Sequence, residues 1–255
     1  MATTTGGKIP DREARLAARV PNGRRPVLMH QRWEALLFLH WQVEPEYIQQ
    51  TLPPGLTVDT FEGRAYLGIT PFFMLNVRLA TLPTLPWISF FQELNVRTYV
   101  FDPSGTPGIW FYSLDCNRLA PALIARVFGG LPYYLASMNA VRAEWIEYYS
   151  RRRGSSDPAR YQYRPAGPDH ETVPESLEFF LLERYYFFAY RARRRRLLRA
   201  QVNHVPYRFH DVEMVRWSTT PAELAGFSNL AESPDHVCSA DGFDVEISAQ
   251  EKVSL

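Results

Sequence analysis

"SFFQELNVRTYVFDPSGTPGIWFYSLD", residues 89–115, is the stretch from which the fold is read. Its first half carries Phe90, Phe91, Leu94, Val96, Tyr99, Val100 and Phe101, aromatic and β-branched types that fit a pleated strand. Glu93, Asn95 and Arg97 interrupt it at every second position. A strand therefore puts those three on one face and Leu94, Val96 and Thr98 on the other. "DPSGTPG" (102–108) has turn chemistry and "IWFYSLD" (109–115) is strand-like again, so 90–115 predicts a hairpin. An acid, an amide and a guanidinium in a row line either a wet surface or a polar cavity. The flanking aromatics favour a cavity over an open, solvated sheet. A buried Glu and Arg must then pair with each other or meet a ligand, because an isolated buried charge is costly.

Outward from the hairpin, short strands recur. "HQRWEALLFLHW" (30–41) is apolar enough for a buried strand or helix, and periodicity does not decide between them. Pro45 opens a helix that Pro53-Pro54-Gly55 stops. A second hairpin is expected around Glu62-Gly63, and a proline-punctuated loop at "LATLPTLPWISF". Leu119, Leu123 and Val127 make a helical stripe ending on Gly129-Gly130. "LPYYLASMNAVRAEWIEYYSRRR" predicts two strands, and 154–174 reads as loop-rich. "SLEFFLLERYYFFAYRARRRRLLRAQVNHVPYRF" reads as a short helix, then a hairpin around the Arg cluster. "DVEMVRW" is a strand, "TPAELAGF" a short helix and "DGFDVEI" a last strand.

Many short strands, few helices and no alternating βα period predict a mainly β (α+β) protein. Its antiparallel sheet is closed or nearly closed, with the helices outside. Residues 1–26 read as a mobile arm with a short helix at 11–19, and 27–255 as one domain. A strand ring of this size holds side chains or one small ligand. Ser113 and Asp115 from the partner strand, Glu183 or Arg184, and Asn203 with His204 are further polar groups expected to face inward.

The bulk chemistry narrows the function classes. A net charge of +1 argues against a dedicated nucleic-acid binder, and "RARRRRLLR" (191–199) reads as a solvated hairpin turn. The lysines are Lys8 and Lys252 alone among 28 basic residues, so the core is expected to lack an amine nucleophile. Cys116 and Cys238 make no disulfide framework and read as reduced, buried thiols of a cytoplasmic protein. Neither a signal peptide nor a membrane span is expected. The 6 histidines show no tight ligand spacing; His204, His210 and Asp211 could gather, but Pro206 breaks the strand between them, so no metal is expected. His40 beside Trp41 reads as a satisfied core histidine. Neither GxSxG nor GxGxxG occurs. The expected partner is a small-molecule substrate or ligand with no cofactor; self-association into a homo-oligomer stays open.

"LLFLHWQVEPEYIQQTLPPGLTVDTFEGRAYLGITPF", "ELNVRTYV", "PGIWFYSLD", "FGGLPYYLA", "ERYYFFAY" and "VNHVPYRF" resemble the YqjF-like bacterial proteins of unknown function, from about residue 28 to 247. That family is grouped with the acetoacetate decarboxylase-like fold. The resemblance implies a cone-shaped antiparallel β-barrel with external helices and a polar pocket. Decarboxylases of that fold form a Schiff base through a lysine in a Pro-Lys-Lys stretch. The matching stretch here is "LPYY", which puts Tyr133 and Tyr134 where the lysines stand and makes imine chemistry an unsuitable reading. Arg32 matches a substrate-facing arginine and Glu93 a pocket glutamate. The expected site is thus Glu93, Tyr133 and Tyr134 for acid–base work, with Arg32, Asn95, Arg97, Ser113 and His204 holding the substrate. Dehydration, cyclisation, aldol-type and tautomerisation steps all fit such a set. The alternative is a pocket that binds without catalysis.

Overall fold

In this computed structural model, residues 8–84, 89–118 and 130–254 are described. The predicted helical stripe from Leu119 to Val127 lies outside them, as do residues 1–7 of the arm and 85–88 of the proline loop. The run at 30–41 resolves into strands. β1 (Val27–Glu34) and β2 (Leu36–Val43) are two halves of one extended run, broken at Ala35 by a φ of 49°. Both halves pair with the same edge of the long β4 (Ala65–Leu79), after which β1 turns to one neighbour and β2 to another.

The opening hairpin is β5 (Phe91–Phe101) and β6 (Pro107–Cys116), as predicted. The remaining strands are β3 (Thr57–Val58), β7 (Tyr133–Arg142), β8 (Ile146–Arg152), β9 (Ala159–Glu171), β10 (Tyr186–Arg191), β11 (Arg196–Asn203), β12 (Arg208–Arg216), β13 (His236–Ala240), β14 (Phe243–Ser248) and β15 (Glu251–Lys252). Twelve of them close a ring in the order β1-β14-β11-β10-β6-β7-β8-β9-β12-β13-β2-β4, and β4 pairs back to β1. The described helices are short: α1 (Arg12–Ala17), α2 (Pro45–Thr51), α3 (Leu177–Leu182) and α4 (Thr220–Glu223). The mainly β, closed architecture is as expected. No described helix is long and apolar enough to cross a membrane.

β5 is not on that ring path. It runs across it, paired with β4 on one side and β6 on the other. One face of β5 gives Leu94 and Val96 to a core with Leu37, Leu39, Trp41, Leu67, Ile69 and Tyr148. From the other face Phe91 joins Leu36, Phe38, Phe72, Met74 and Cys238. The strand is thus a wall shared by two packed compartments, and its alternation gives each compartment a different chemistry.

Two expectations need correction. The sheet is not wholly antiparallel, since β6 runs parallel to both β7 and β10. Long connections permit this: residues 117–132 lead from β6 to β7, and β7–β9 intervene before β10. Gly108 lets β10 come close, because a Cβ there would lie 2.6 Å from the Tyr186 carbonyl oxygen. The segment 154–174 is also not loop-rich. It contains the 13-residue β9, whose Pro165 and Pro168 lie beyond its pairing with β8, where a missing N–H costs no central ladder bond.

The stretch read as a mobile arm is tied down from α1 onward. Asp11 caps α1 by accepting from the Ala14 amide at 2.8 Å. Arg15 makes a two-pronged contact with Asp59 at 2.8 Å, Arg19 reaches Glu183 at 3.2 Å, and Gln201 donates to the carbonyls of Ala18 and Val20.

Candidate functional site

Glu93, Asn95 and Arg97 sit on one face of β5, opposite Phe72, Thr70 and Gly68 of β4. All three are buried, with Glu93 3% and Arg97 6% exposed. Tyr133, the first residue of β7, donates its hydroxyl to Glu93 Oε2 at 2.8 Å. Tyr148 donates to the Glu93 backbone carbonyl from the other compartment at 2.9 Å, which clamps the strand at this residue. Burial lifts the Glu93 carboxyl from its ordinary 4.5 to about 7, against the opposing hydrogen bonds from Tyr133 and Asn95. The Tyr133 hydroxyl is pushed well above the usual phenol range by burial and by the neighbouring Glu93 charge.

Arg97 has a different environment. Its guanidinium carbon lies 5.1 Å from the Phe38 ring centre and 5.8 Å from that of Tyr99. Its Nε is buried without a hydrogen-bond partner, and no carboxylate among the described residues forms an ion pair with it. The absent side chain of Gly68 creates the room. A Cβ there would stand 3.4 Å from Arg97 Cγ and 3.2 Å from His40 Cδ2, so His40 and Arg97 meet across β4 over this glycine. His40 is fully enclosed between the Tyr99 hydroxyl (2.7 Å) and His236 (3.0 Å). Burial, then His236 and Arg97, hold its pKa well below the ordinary 6.5, so the ring is neutral. Asn95 Oδ1 and Thr70 Oγ1, directly opposite each other, are also buried without partners.

The structure brings Glu93, Asn95, Arg97 and Tyr133 to one face and leaves other expected residues elsewhere. Tyr134 follows Tyr133 along β7 and so points to the opposite side; it is 39% exposed, with Arg152 lying 4.3 Å over its ring. Ser113 pairs with Val96, and Asp115 with Leu94, so both lie on the far face of the wall. Asp115 there accepts from Arg152 at 2.8 Å, and burial lifts its carboxyl to about 6. Arg32 lies on the outside of β1, bound to Glu34 at 2.9 Å and Asp244 at 3.4 Å; its neighbour Trp33 takes the inward position against Phe72. His204 stacks on Tyr185 with ring centres 4.4 Å apart and packs by Trp33 and Phe243, near the enclosed aromatics but without contact to Glu93 or Arg97. His210 instead approaches Asp241 at 3.3 Å, so the two histidines do not converge. Glu183 and Arg184 are buried in their own pairs, with Arg19 and with Asp59. The Arg run forms the exposed turn between β10 and β11. Sequence reasoning did not find His40, Tyr99 and Gly68 as neighbours of Arg97, because only strand pairing brings them together.

The chain belongs to the DUF2071 family of uncharacterised conserved proteins, which it matches over residues 30–244. It is 35% identical over 188 residues to the uncharacterised protein YqjF of Bacillus subtilis (strain 168), covering 73% of this chain and 76% of that one. Among solved structures it is similar to the enduracididine biosynthesis enzyme MppR complexed with pyruvate, with a TM-score of 0.61, 14% identity and 90% and 91% of the two chains covered. An acetoacetate decarboxylase-like enzyme from Sphingomonas wittichii RW1 gives a TM-score of 0.62 at 12% identity, covering 90% and 94%. Acetoacetate decarboxylase from Legionella pneumophila gives 0.59 at 14% identity, covering 100% and 98%. At these identities the structural likeness establishes the acetoacetate decarboxylase-like fold. The family resemblance read from the sequence is met, and so is the acetoacetate decarboxylase-like, mainly β fold it implied, with a sheet that is mixed and not wholly antiparallel.

Proposed function

We propose that this DUF2071 member is a cofactor-free enzyme acting by general acid–base chemistry on a small metabolite that carries both a carbonyl and a carboxylate. The observation that carries the reading is the pair of buried, uncompensated charges on one strand face. Arg97 is an enclosed cation without a carboxylate partner among the described residues, suited to a bidentate grip on a substrate carboxylate. Glu93 is an enclosed acid whose carboxyl sits at about 7, the range in which a base takes a proton from carbon and returns it near neutral pH. Four residues of strand separate their backbones by about 13 Å, so the substrate would lie along the face between them.

In this reading Arg97 holds the carboxylate and Glu93 removes a proton from the carbon next to the carbonyl. The Asn95 amide and the Tyr133 hydroxyl stand beside the enolate that forms. The enolate is then reprotonated, or it attacks a second carbonyl in an aldol-type step. The neighbour MppR, complexed with pyruvate and with a condensation product of pyruvate and imidazole 4-carboxaldehyde, supports this substrate class. With Lys8 and Lys252 the sole lysines, the interior offers no amine for an imine route.

The test uses pyruvate in deuterated water, with loss of the methyl proton signal followed by NMR. Exchange above the protein-free rate is expected, abolished by Glu93→Gln with the melting temperature retained. A Glu93→Gln protein that unfolds, or that exchanges as fast as the unaltered one, overturns the assignment. The second reading, a non-catalytic small-molecule binding protein, is favoured by Arg97 alone, since an anion anchor requires no base. It predicts saturable binding of 2-oxo acids without exchange.

A further inference from the structure

The register that sets Gly68 between His40 and Arg97 also lines up a path out of the interior. His40 on β2 lies directly opposite His236 on β13, and their Nδ1 atoms are 3.0 Å apart. His40 Nε2 lies 2.7 Å from the Tyr99 hydroxyl, and the Arg97 guanidinium carbon lies 5.8 Å from the Tyr99 ring centre. At the outer end, His236 Nε2 is 3.8 Å from Glu178 in the first turn of α3. The side chains of His236 and Glu178 are 12% and 31% exposed, whereas His40 and Tyr99 are fully enclosed. The path therefore starts beside a buried guanidinium and ends at solvent.

Hydrogen bookkeeping selects one arrangement of protons. A neutral imidazole carries one N–H and one acceptor nitrogen. With both rings neutral, the Tyr99 hydroxyl donates to His40 Nε2, the Nδ1–H of His40 donates to His236 Nδ1, and the Nε2–H of His236 points to Glu178. The two enclosed donors then each have an acceptor, while the His236 Nε2–H lies 3.8 Å from Glu178, beyond direct hydrogen-bond reach. Burial lowers both histidine pKa values, and His236 and the nearby cation Arg97 add to the case against a second proton on His40. A pair of facing Nδ1 atoms at this distance requires that one carry the hydrogen and the other not.

We propose that Tyr99, His40, His236 and Glu178 form a proton relay between solvent and the interior beside Arg97. Its use rests on the acid–base reading above, although its geometry does not. In the outward step a group in the interior gives a proton to the Tyr99 oxygen as the hydroxyl proton moves to His40 Nε2. The His40 Nδ1 proton passes to His236 Nδ1, and the His236 Nε2 proton leaves by Glu178. Only O–H and N–H bonds change, one proton leaves for each that enters, and both rings end in the other tautomer. The reverse shift brings a proton in, as reprotonation of an enolate requires.

The first test needs neither substrate nor variant. Long-range 15N–1H correlation spectra at neutral pH are expected to show His40 protonated on Nδ1 and His236 on Nε2, both neutral. A charged ring, or a pair of tautomers with both Nδ1 atoms protonated or both bare, overturns the relay. In His236→Phe, or in His236→Gln should that fold better, exchange of the His40 ring proton with water is expected to slow by about tenfold or more. An unchanged exchange rate also refutes it. The pyruvate exchange assay on the same variant separates the two ideas. Slowed turnover that added imidazole restores supports the relay in its proposed use. An unaltered protein that never exchanges pyruvate sinks the enzymatic reading and leaves the spectra to decide the relay.

Discussion

Replacing Glu93 by glutamine should make the protein's stability less dependent on pH, and the size of the change follows from the site. The carboxyl rises from 4.5 to about 7 because it is enclosed and, among the described residues, meets hydroxyl and amide partners but no cation. That rise corresponds to about 3 kcal/mol of differential interaction between the protonated and ionised forms. The sign follows from proton binding. Between these two values the folded state keeps the proton while the unfolded chain has lost it, so stability falls as pH rises. The contribution is fully present below 4.5 and gone above about 7. Glutamine cannot ionise, and its carbonyl still accepts from Tyr133. The stability of Glu93→Gln relative to the unaltered protein should therefore climb by about 3 kcal/mol from pH 4.5 to pH 8, equivalent to roughly 6–12 °C in melting temperature for a chain of this size. Urea unfolding at a series of pH values measures it. Asp115, lifted by burial, and Asp59, lowered despite burial by Arg184 and Arg15, titrate in both proteins and cancel in the difference. A difference that stays flat across the window would mean that Glu93 is solvated or paired, and the reasoning would fail.

Tyr133→Phe removes the hydroxyl that favours the ionised form, so the Glu93 carboxyl should titrate above its present value by about one to two pH units, as read from its 13C chemical shift. Arg97→Met exchanges a buried cation with no carboxylate partner among the described residues for an apolar chain of similar length and should raise unfolding stability by about 1 kcal/mol or more while abolishing 2-oxo acid binding. A destabilised Met variant would show that the guanidinium has a structural partner. Arg32→Ala breaks only partly exposed contacts outside the ring and should change stability by less than about 1 kcal/mol and leave ligand affinity untouched, as measured by calorimetry.

What was legible in the sequence follows from local geometry. Side chains on a strand alternate whatever the tertiary context, so the polar trio at 93, 95 and 97 could be read directly. Ser113 and Asp115 were misplaced by one residue for an identifiable reason. From Phe101↔Pro107 to Arg97↔Phe111 the hairpin pairs regularly, and continuing it would set Ser113 against Asn95 and Asp115 against Glu93. A bulge at Tyr112 intervenes. The Tyr112 ring packs on Phe227 at 4.7 Å and its hydroxyl meets Thr51, so the next residues slip by one and change face. Arg32 failed for a related reason: which side of β1 faces inward is decided by pairing with β4 and β14, and Trp33 takes that side. Gly68 carried no signal of its own, because its meaning lies in the two strands beside it.

The expected rival to a functional site was a structural ion pair between Glu93 and Arg97, and the strand geometry argues against it. Asn95 lies between them on the same face, so each charged group is enclosed by different neighbours: hydroxyl and amide for Glu93, aromatic rings for Arg97. Leaving both apart costs several kcal/mol that pairing or apolar replacement would recover. The outer compartment of the same wall shows the paired solution at Asp115–Arg152, at 2.8 Å. One strand thus separates a face where opposite charges are matched from a face where they are held apart. A ligand with an anionic end and an acidic carbon beside a carbonyl would compensate both unmatched groups at once. This is the physical ground for the proposal that chemistry belongs on the face of β5 carrying Glu93 and Arg97 and structural support on the face toward Asp115.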